Sequence, residues 1–95
     1  MRWIGVYGAT TTGTFVIAGY FKPVSNFYCV HNGTYGLRVN GGRADVRAGT
    51  NIVLHNGTND YIASSLGLIN AGSKTGATYS PSRGSGPNST GAAIY

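Results

Sequence analysis

The chain has no Glu and no Gln, and its only acidic side chains are Asp45 and Asp60. Chemistry that needs two opposed carboxyl groups, one giving and one taking a proton, has almost no material here. A single cysteine, Cys29, rules out an internal disulfide, the usual staple of a small secreted domain. Only 9% of residues are charged, and with seven Lys and Arg against two Asp the formal charge of +5 comes from missing acids, not from a dense basic run. Strong helix formers are few as well. Sixteen Gly, seven Tyr and frequent Thr, Ser and Asn describe strands and turns, so the expected class is all-β. At 95 residues this is one domain with a modest core of its own.

A long apolar run is also missing. Trp3 to Phe21 carries no charge, but Thr10, Thr11, Thr12 and Gly13 break its centre, which reads as strand, turn, strand rather than as a membrane helix. The same interruption, with no cleavage site after it, argues against a signal peptide despite the basic start Met1-Arg2.

What the chain does have is one tetrapeptide twice: His31-Asn32-Gly33-Thr34 and, 24 residues on, His55-Asn56-Gly57-Thr58. Asn-Gly between runs of Tyr, Val, Ile, Leu and Thr signals a two-residue hairpin turn, because Asn tolerates and Gly freely adopts the positive φ that a type I′ turn needs. Asn40-Gly41 offers a third such turn, Ala48-Gly49-Thr50 a three-residue connection, and Ser25-Asn26 a turn after Pro23. The expected strands cover about 2–7, 14–21, 27–31, 34–39, 43–47, 51–55, 58–63 and 66–69. Those from Phe27 to Ala63 form an antiparallel meander, closing as a small sheet, sandwich or barrel. In that register Tyr28 faces Leu37, Tyr35 faces Val46 and Tyr61 faces Ile52. The buried face carries Tyr28, Val30, Tyr35, Leu37 and Val39, while Phe27, Cys29, His31 and Arg38 lie on the other. Residues 1–70 make the β domain. Residues 71–95, rich in Gly, Ser, Thr and Pro, make an extended arm that cannot bury enough surface to order itself. It is expected to lie along a partner chain, anchored by Tyr79, Ile94 and Tyr95.

The meander brings Arg38, Arg43 and Arg47 onto one face, the expected contact patch for an acidic partner, with Asp45 relieving the repulsion between its two arginine neighbours. It keeps Tyr28, Tyr35 and Tyr61 on the opposite face, which weakens a nucleic-acid reading based on mixed aromatics and bases. Trp3, Tyr7 and Tyr20 are the candidate stacking residues of a receptor- or glycan-binding module. His31 and His55 would share a metal only if their turns were adjacent, and the meander holds them about 10 Å apart, two strand spacings. No metal, cofactor or catalytic residue is therefore expected, and Cys29 is expected to be a packing residue.

A disulfide-free β chain with a weak private core, few charges and a low-complexity arm is similar in style to small virion surface proteins of tailed bacteriophages, the capsid decoration proteins and short fibre or spike modules. The resemblance implies a non-enzymatic structural protein at a virion surface, forming a homo-oligomer, often a trimer, and binding a larger assembly such as a capsid. A glycan-binding module and a nucleic-acid-binding domain are the alternatives.

Overall fold

The computed structural model describes residues 3–23, 26–47, 51–72 and 77–95. They contain no helix, and the all-β expectation holds. Eleven short strands follow in order: β1 (Trp3–Tyr7), β2 (Thr12–Ile17), β3 (Tyr20–Phe21), β4 (Asn26–Val30), β5 (Tyr35–Asn40), β6 (Arg43–Asp45), β7 (Asn51–Leu54), β8 (Asn59–Ser64), β9 (Leu68–Asn70), β10 (Tyr79–Ser80) and β11 (Ala93–Ile94). β1 and β4 to β9 lie within two residues of expected strands, but the expected strand 14–21 is two strands, β2 and β3, on different sheets, and β10 and β11 fall in the expected arm. The pairing is not the expected one.

Every strand pair is parallel, in three sheets ordered β1-β4-β7, β2-β5-β8-β10 and β3-β6-β9-β11. A parallel partner cannot be reached by a tight turn. Here the chain reaches it by passing through the other two sheets and arriving one layer further on, so the molecule is a parallel β-helix of stacked coils. Paired residues lie 23 positions apart between the first and second coils, as in Leu37 beside Thr14, and 24 apart between the second and third, as in Tyr61 beside Leu37. The third sheet takes one residue more, Arg43 beside Leu68, because Ser65 and Leu66 both adopt left-handed backbone at that corner.

Inward side chains repeat at the coil spacing and form columns: Thr14–Leu37–Tyr61–Tyr79, Val16–Val39–Ala63, Val6–Cys29–Val53 and Phe21–Ala44–Ile69–Ile94. The middle members are fully buried and make up the core. Phe21 meets Phe27 edge-on at 5.2 Å, and Tyr61 stacks on Tyr79 at 5.0 Å.

The antiparallel meander is thus overturned, and the backbone says why. A type I′ turn needs positive φ at both Asn and Gly. The left-handed residues at these corners are instead His31 (φ 55) and His55 (φ 59), one position earlier, and neither Asn32-Gly33 nor Asn56-Gly57 has positive φ. Each corner bends the chain from one sheet to the next rather than back on itself. At Asn40-Gly41 too the chain passes from β5 to β6, in another sheet.

The corner also frees the inward phase of one strand from that of the next. On β4 the buried residues are Phe27 and Cys29, the reverse of the expected face, while on β5 Leu37 and Val39 are buried as expected. Tyr28, Tyr35 and Tyr61 do not share a face either: Tyr61 is fully buried, and the other two are only half-buried. Residues 24–25 and 48–50, on which two of the expected connections fall, lie outside the described residues. In the arm, Tyr79 pairs with Tyr61 and Ile94 with Ile69, so both are seated on this chain's own third coil. Tyr95 is half exposed, and its backbone bonds Ile69, Ala71 and Gly72.

Candidate functional site

At the corner between the first and second sheets, the two His-Asn-Gly-Thr copies lie directly on one another. Val30 pairs with Leu54, so His31 sits over His55 and Asn32 over Asn56. The imidazoles are exposed and stacked, 5.6 Å between centroids and 12° between planes. The 10 Å separation expected from a meander does not exist.

Beneath the imidazoles the asparagines form an inward ladder. The backbone N–H of Ala9 donates to Asn32 Oδ1 at 3.0 Å, and the N–H and Nδ2 of Asn32 both donate to Asn56 Oδ1, at 3.0 and 2.9 Å. Asn56 Nδ2 donates to the Cys29 carbonyl (3.0 Å) and to Asp60 Oδ1 (2.9 Å), which also accepts the Asn56 N–H (3.1 Å). Asp60 Oδ2 ends the chain by accepting the N–H and hydroxyl of Thr78, at 2.9 and 3.1 Å. One network therefore runs from the first coil to the fourth, satisfying polar groups that would be costly to bury alone.

Space for the ladder comes from small residues. Gly36 lies under the Asn56 amide, where a Cβ would overlap Nδ2 and approach Val53 Cγ1 to 2.7 Å. At the turn itself a Cβ on Gly57 would run into the Gly33 carbonyl, so only glycine lets these coils stack. Cys29 Sγ sits against the network, donating to the Gly36 carbonyl at 2.9 Å and accepting from Asn32 Nδ2 at 3.4 Å. Burial pushes its thiol above the ordinary range, so it is held protonated as a packing residue.

The second candidate surface is the outward side of the β2-β5-β8 sheet. Its rows read Thr12, Phe15, Ile17, then Tyr35, Arg38, Asn40, then Asn59, Ile62, Ser64. The Arg38 guanidinium lies 4.7 Å from the Phe15 ring centroid and 5.5 Å from that of Tyr35, while its Nε is buried with no hydrogen-bond partner. Phe15 and Ile17 are 45% and 68% exposed, and Tyr20, around the next corner, 64%.

The expected basic patch is not assembled. Arg38 stands on the second sheet, Arg43 on the third beside Tyr20 and Leu68, and Arg47 beyond the end of β6. Asp45 does not serve two arginines but clasps one: it accepts Arg47 Nε at 2.9 Å and Nη2 at 2.7 Å. That clasp holds the Asp45 carboxyl down to about 2. Tyr35, expected far from the arginines, is beside Arg38. Of the candidate stacking residues, Tyr20 is exposed on the third sheet, whereas Trp3 and Tyr7 lie on β1 with side chains outside the described part.

Sequence reasoning passed over Asn32, Asn56, Phe15 and Ile17. The signal that finds them is the 24-residue spacing taken as a coil length, supported by Gly13 and Gly36 at 23 and by Gly19, Gly42 and Gly67 at 23 and 25. Comparison with family models, curated proteins and solved structures finds no match for this chain.

Proposed function

We propose that the chain is a non-enzymatic structural module of a larger protein assembly, of the kind that decorates or extends a virus particle, and that the outer side of its first coil is the contact surface. The observation that carries this is the concentration of exposed large apolar side chains there: Phe15, Ile17 and Tyr20 all come from one coil, beside an Arg38 set against aromatic rings. Aromatic and Arg residues around an apolar centre are the composition of an interface core. Strands β1, β2 and β3 of the same coil are also the edges of their sheets among the described residues, a second feature that favours association with another chain. The first partner to expect is a second copy of the chain itself.

Light scattering of the purified protein over a range of concentrations tests this. The expected mass is a multiple of 9.9 kDa, returning to that value in the Phe15→Ser, Ile17→Ser double variant. A wild type that stays monomeric throughout and binds no capsid shell overturns the reading. A glycan-binding module would instead remain a monomer and lose array binding with Tyr20→Ala. A nucleic-acid binder would show steep salt dependence that Arg38→Ala relieves.

A further inference from the structure

The corner column Gly8–His31–His55 holds equivalent positions in three successive coils, since Tyr7 pairs with Val30 and Val30 with Leu54. All three residues have left-handed backbone, with φ of 75, 55 and 59. The first coil meets that geometry with glycine, which has no steric conflict there. The second and third coils place imidazoles in it, and a non-glycine residue in this conformation is strained by roughly 1–2 kcal/mol. Left-handed backbone also bends the other corners, at Ala18, Ser65 and Leu66; what sets this corner apart is that its two non-glycine positions carry stacked, exposed side chains of one chemical type.

The corner is rigid beneath them. Asn32 and Asn56, the residues that follow each histidine, are tied side chain to side chain and side chain to backbone, which fixes the spacing of the imidazoles above. With metal–nitrogen bonds of about 2.0–2.1 Å, two imidazoles on one ion hold their ring centroids roughly 5–6 Å apart. The observed separation is 5.6 Å. The rings now lie face to face, so each must rotate about its Cβ–Cγ bond to bring a nitrogen lone pair toward the shared point. Both are exposed, on the outside of the corner.

We propose that His31 and His55 form a two-imidazole site for a divalent d-block cation of the zinc, nickel or copper class, which bridges the second and third coils from outside, with water filling its remaining positions. Two nitrogen donors, with no third His, Cys, Asp or Glu grouped with them among the described residues, favour these ions over calcium or magnesium. The histidines stand at the corner between the first and second sheets, whereas the assembly surface is carried by Phe15 and Ile17 on β2 and Tyr20 on β3. Two ligands give modest affinity, and the fold itself offers the means to raise it. Gly8 continues the column, nothing lies within 4 Å of where its Cβ would be, and its backbone already has the conformation in which the chain twice holds a histidine.

The test is calorimetric titration of the full, tag-free chain with zinc chloride, with the histidine ring resonances followed by NMR. One ion per chain is expected, perturbing both rings. His31→Asn and His55→Asn, which keep a residue that tolerates left-handed backbone, should each weaken binding by about tenfold or more, and Gly8→His should tighten it by a similar factor. Thermal melts of each variant without metal report whether the fold is retained. Absence of binding up to about 1 mM zinc, the limit of weak association, overturns the proposal, as does wild-type affinity in both folded Asn variants.

Discussion

The first coil and the second occupy the same register yet are built differently. Where the second coil has Leu37 in its inward column, the first has Thr14; where the second has Asn32 in the ladder, the first has Ala9, which contributes only a backbone N–H. The second coil buries Leu37, Val39, Cys29 and Phe27 almost completely, whereas of the first-coil strand residues whose side chains are described only Val16 is buried, at 9%, with Val6 and Phe21 half-buried against the core. Phe15, Ile17 and Tyr20 of the first coil stand outside instead. A coil with neighbours on both sides can dedicate its side chains to the axis. A coil at the edge of the sheets presents them outward, which is where a partner would be met.

The largest effect should come from breaking the inner column at its centre. Leu37 is fully buried between Thr14 and Tyr61, and Leu37→Ala should cost about 3–4 kcal/mol by chemical denaturation, through lost burial and the cavity left behind. Thr14→Ala, one coil away in the same column, should cost less than about 1 kcal/mol, because it removes few buried contacts. Equal costs would mean that the first coil is as well packed as the second.

Next comes the ladder. Asn56→Ala removes the oxygen that accepts the Asn32 N–H and Nδ2 and the amide that donates to the Cys29 carbonyl, leaves Asp60 Oδ1 with only the backbone N–H of residue 56, and should cost about 2–3 kcal/mol. The converse change sharpens the comparison. Ala9→Asn would extend the ladder by one rung into the first coil and should raise stability by about 0.5–1 kcal/mol, read in the same denaturation experiment.

These contrasts show what was legible in the sequence and what was not. Most strand positions came through because β-branched and aromatic runs between Gly, Asn and Pro mark strands whatever their partners; the corner within 14–21 and the two short strands of the arm did not. Pairing did not, because Asn-Gly is the signature of a hairpin turn and here serves another purpose: Asn supplies an inward amide and Gly lets one coil lie against the next. A single Asn-Gly carries no sign of which use is intended. Two copies 24 residues apart do, since a hairpin has no reason to repeat at the length of a coil, and from that spacing His31 beside His55 follows without coordinates. The outward cluster of Phe15, Tyr35 and Arg38 was hidden for the same reason: these residues become neighbours only once coils stack.

A smaller effect, of opposite sign, lies at Tyr61. Its ring fills the third coil's share of the column and stacks on Tyr79, but its hydroxyl is buried without a hydrogen-bond partner, and burial pushes its ionisation well up. Tyr61→Phe keeps the ring and removes the orphaned group, so it should stabilise the protein by about 1 kcal/mol. A loss of stability would show that the hydroxyl is satisfied after all.

The smallest effect concerns the seam between the first two coils, where Lys22 follows Phe21 just as Asp45 follows Ala44 in the coil below. The hydrogen bonds from Arg47 are the main cause that holds the Asp45 carboxyl down to about 2, and Lys22 adds a weaker attraction in the same direction. The ordinary value, 3.8, belongs to the unfolded chain, which therefore takes up the proton first as the medium is acidified. The stabilisation is complete above about pH 4, declines as pH falls, and is gone once pH has passed through about 2. Because the Arg47 side chain is 58% exposed, solvent and salt screen much of this, and the amplitude is small. The measurement is the difference in melting temperature between wild type and Asp45→Asn from pH 5 to pH 2. The two curves should converge at the acid end, and a gap that stays constant with pH would show that the clasp acts through shape rather than charge.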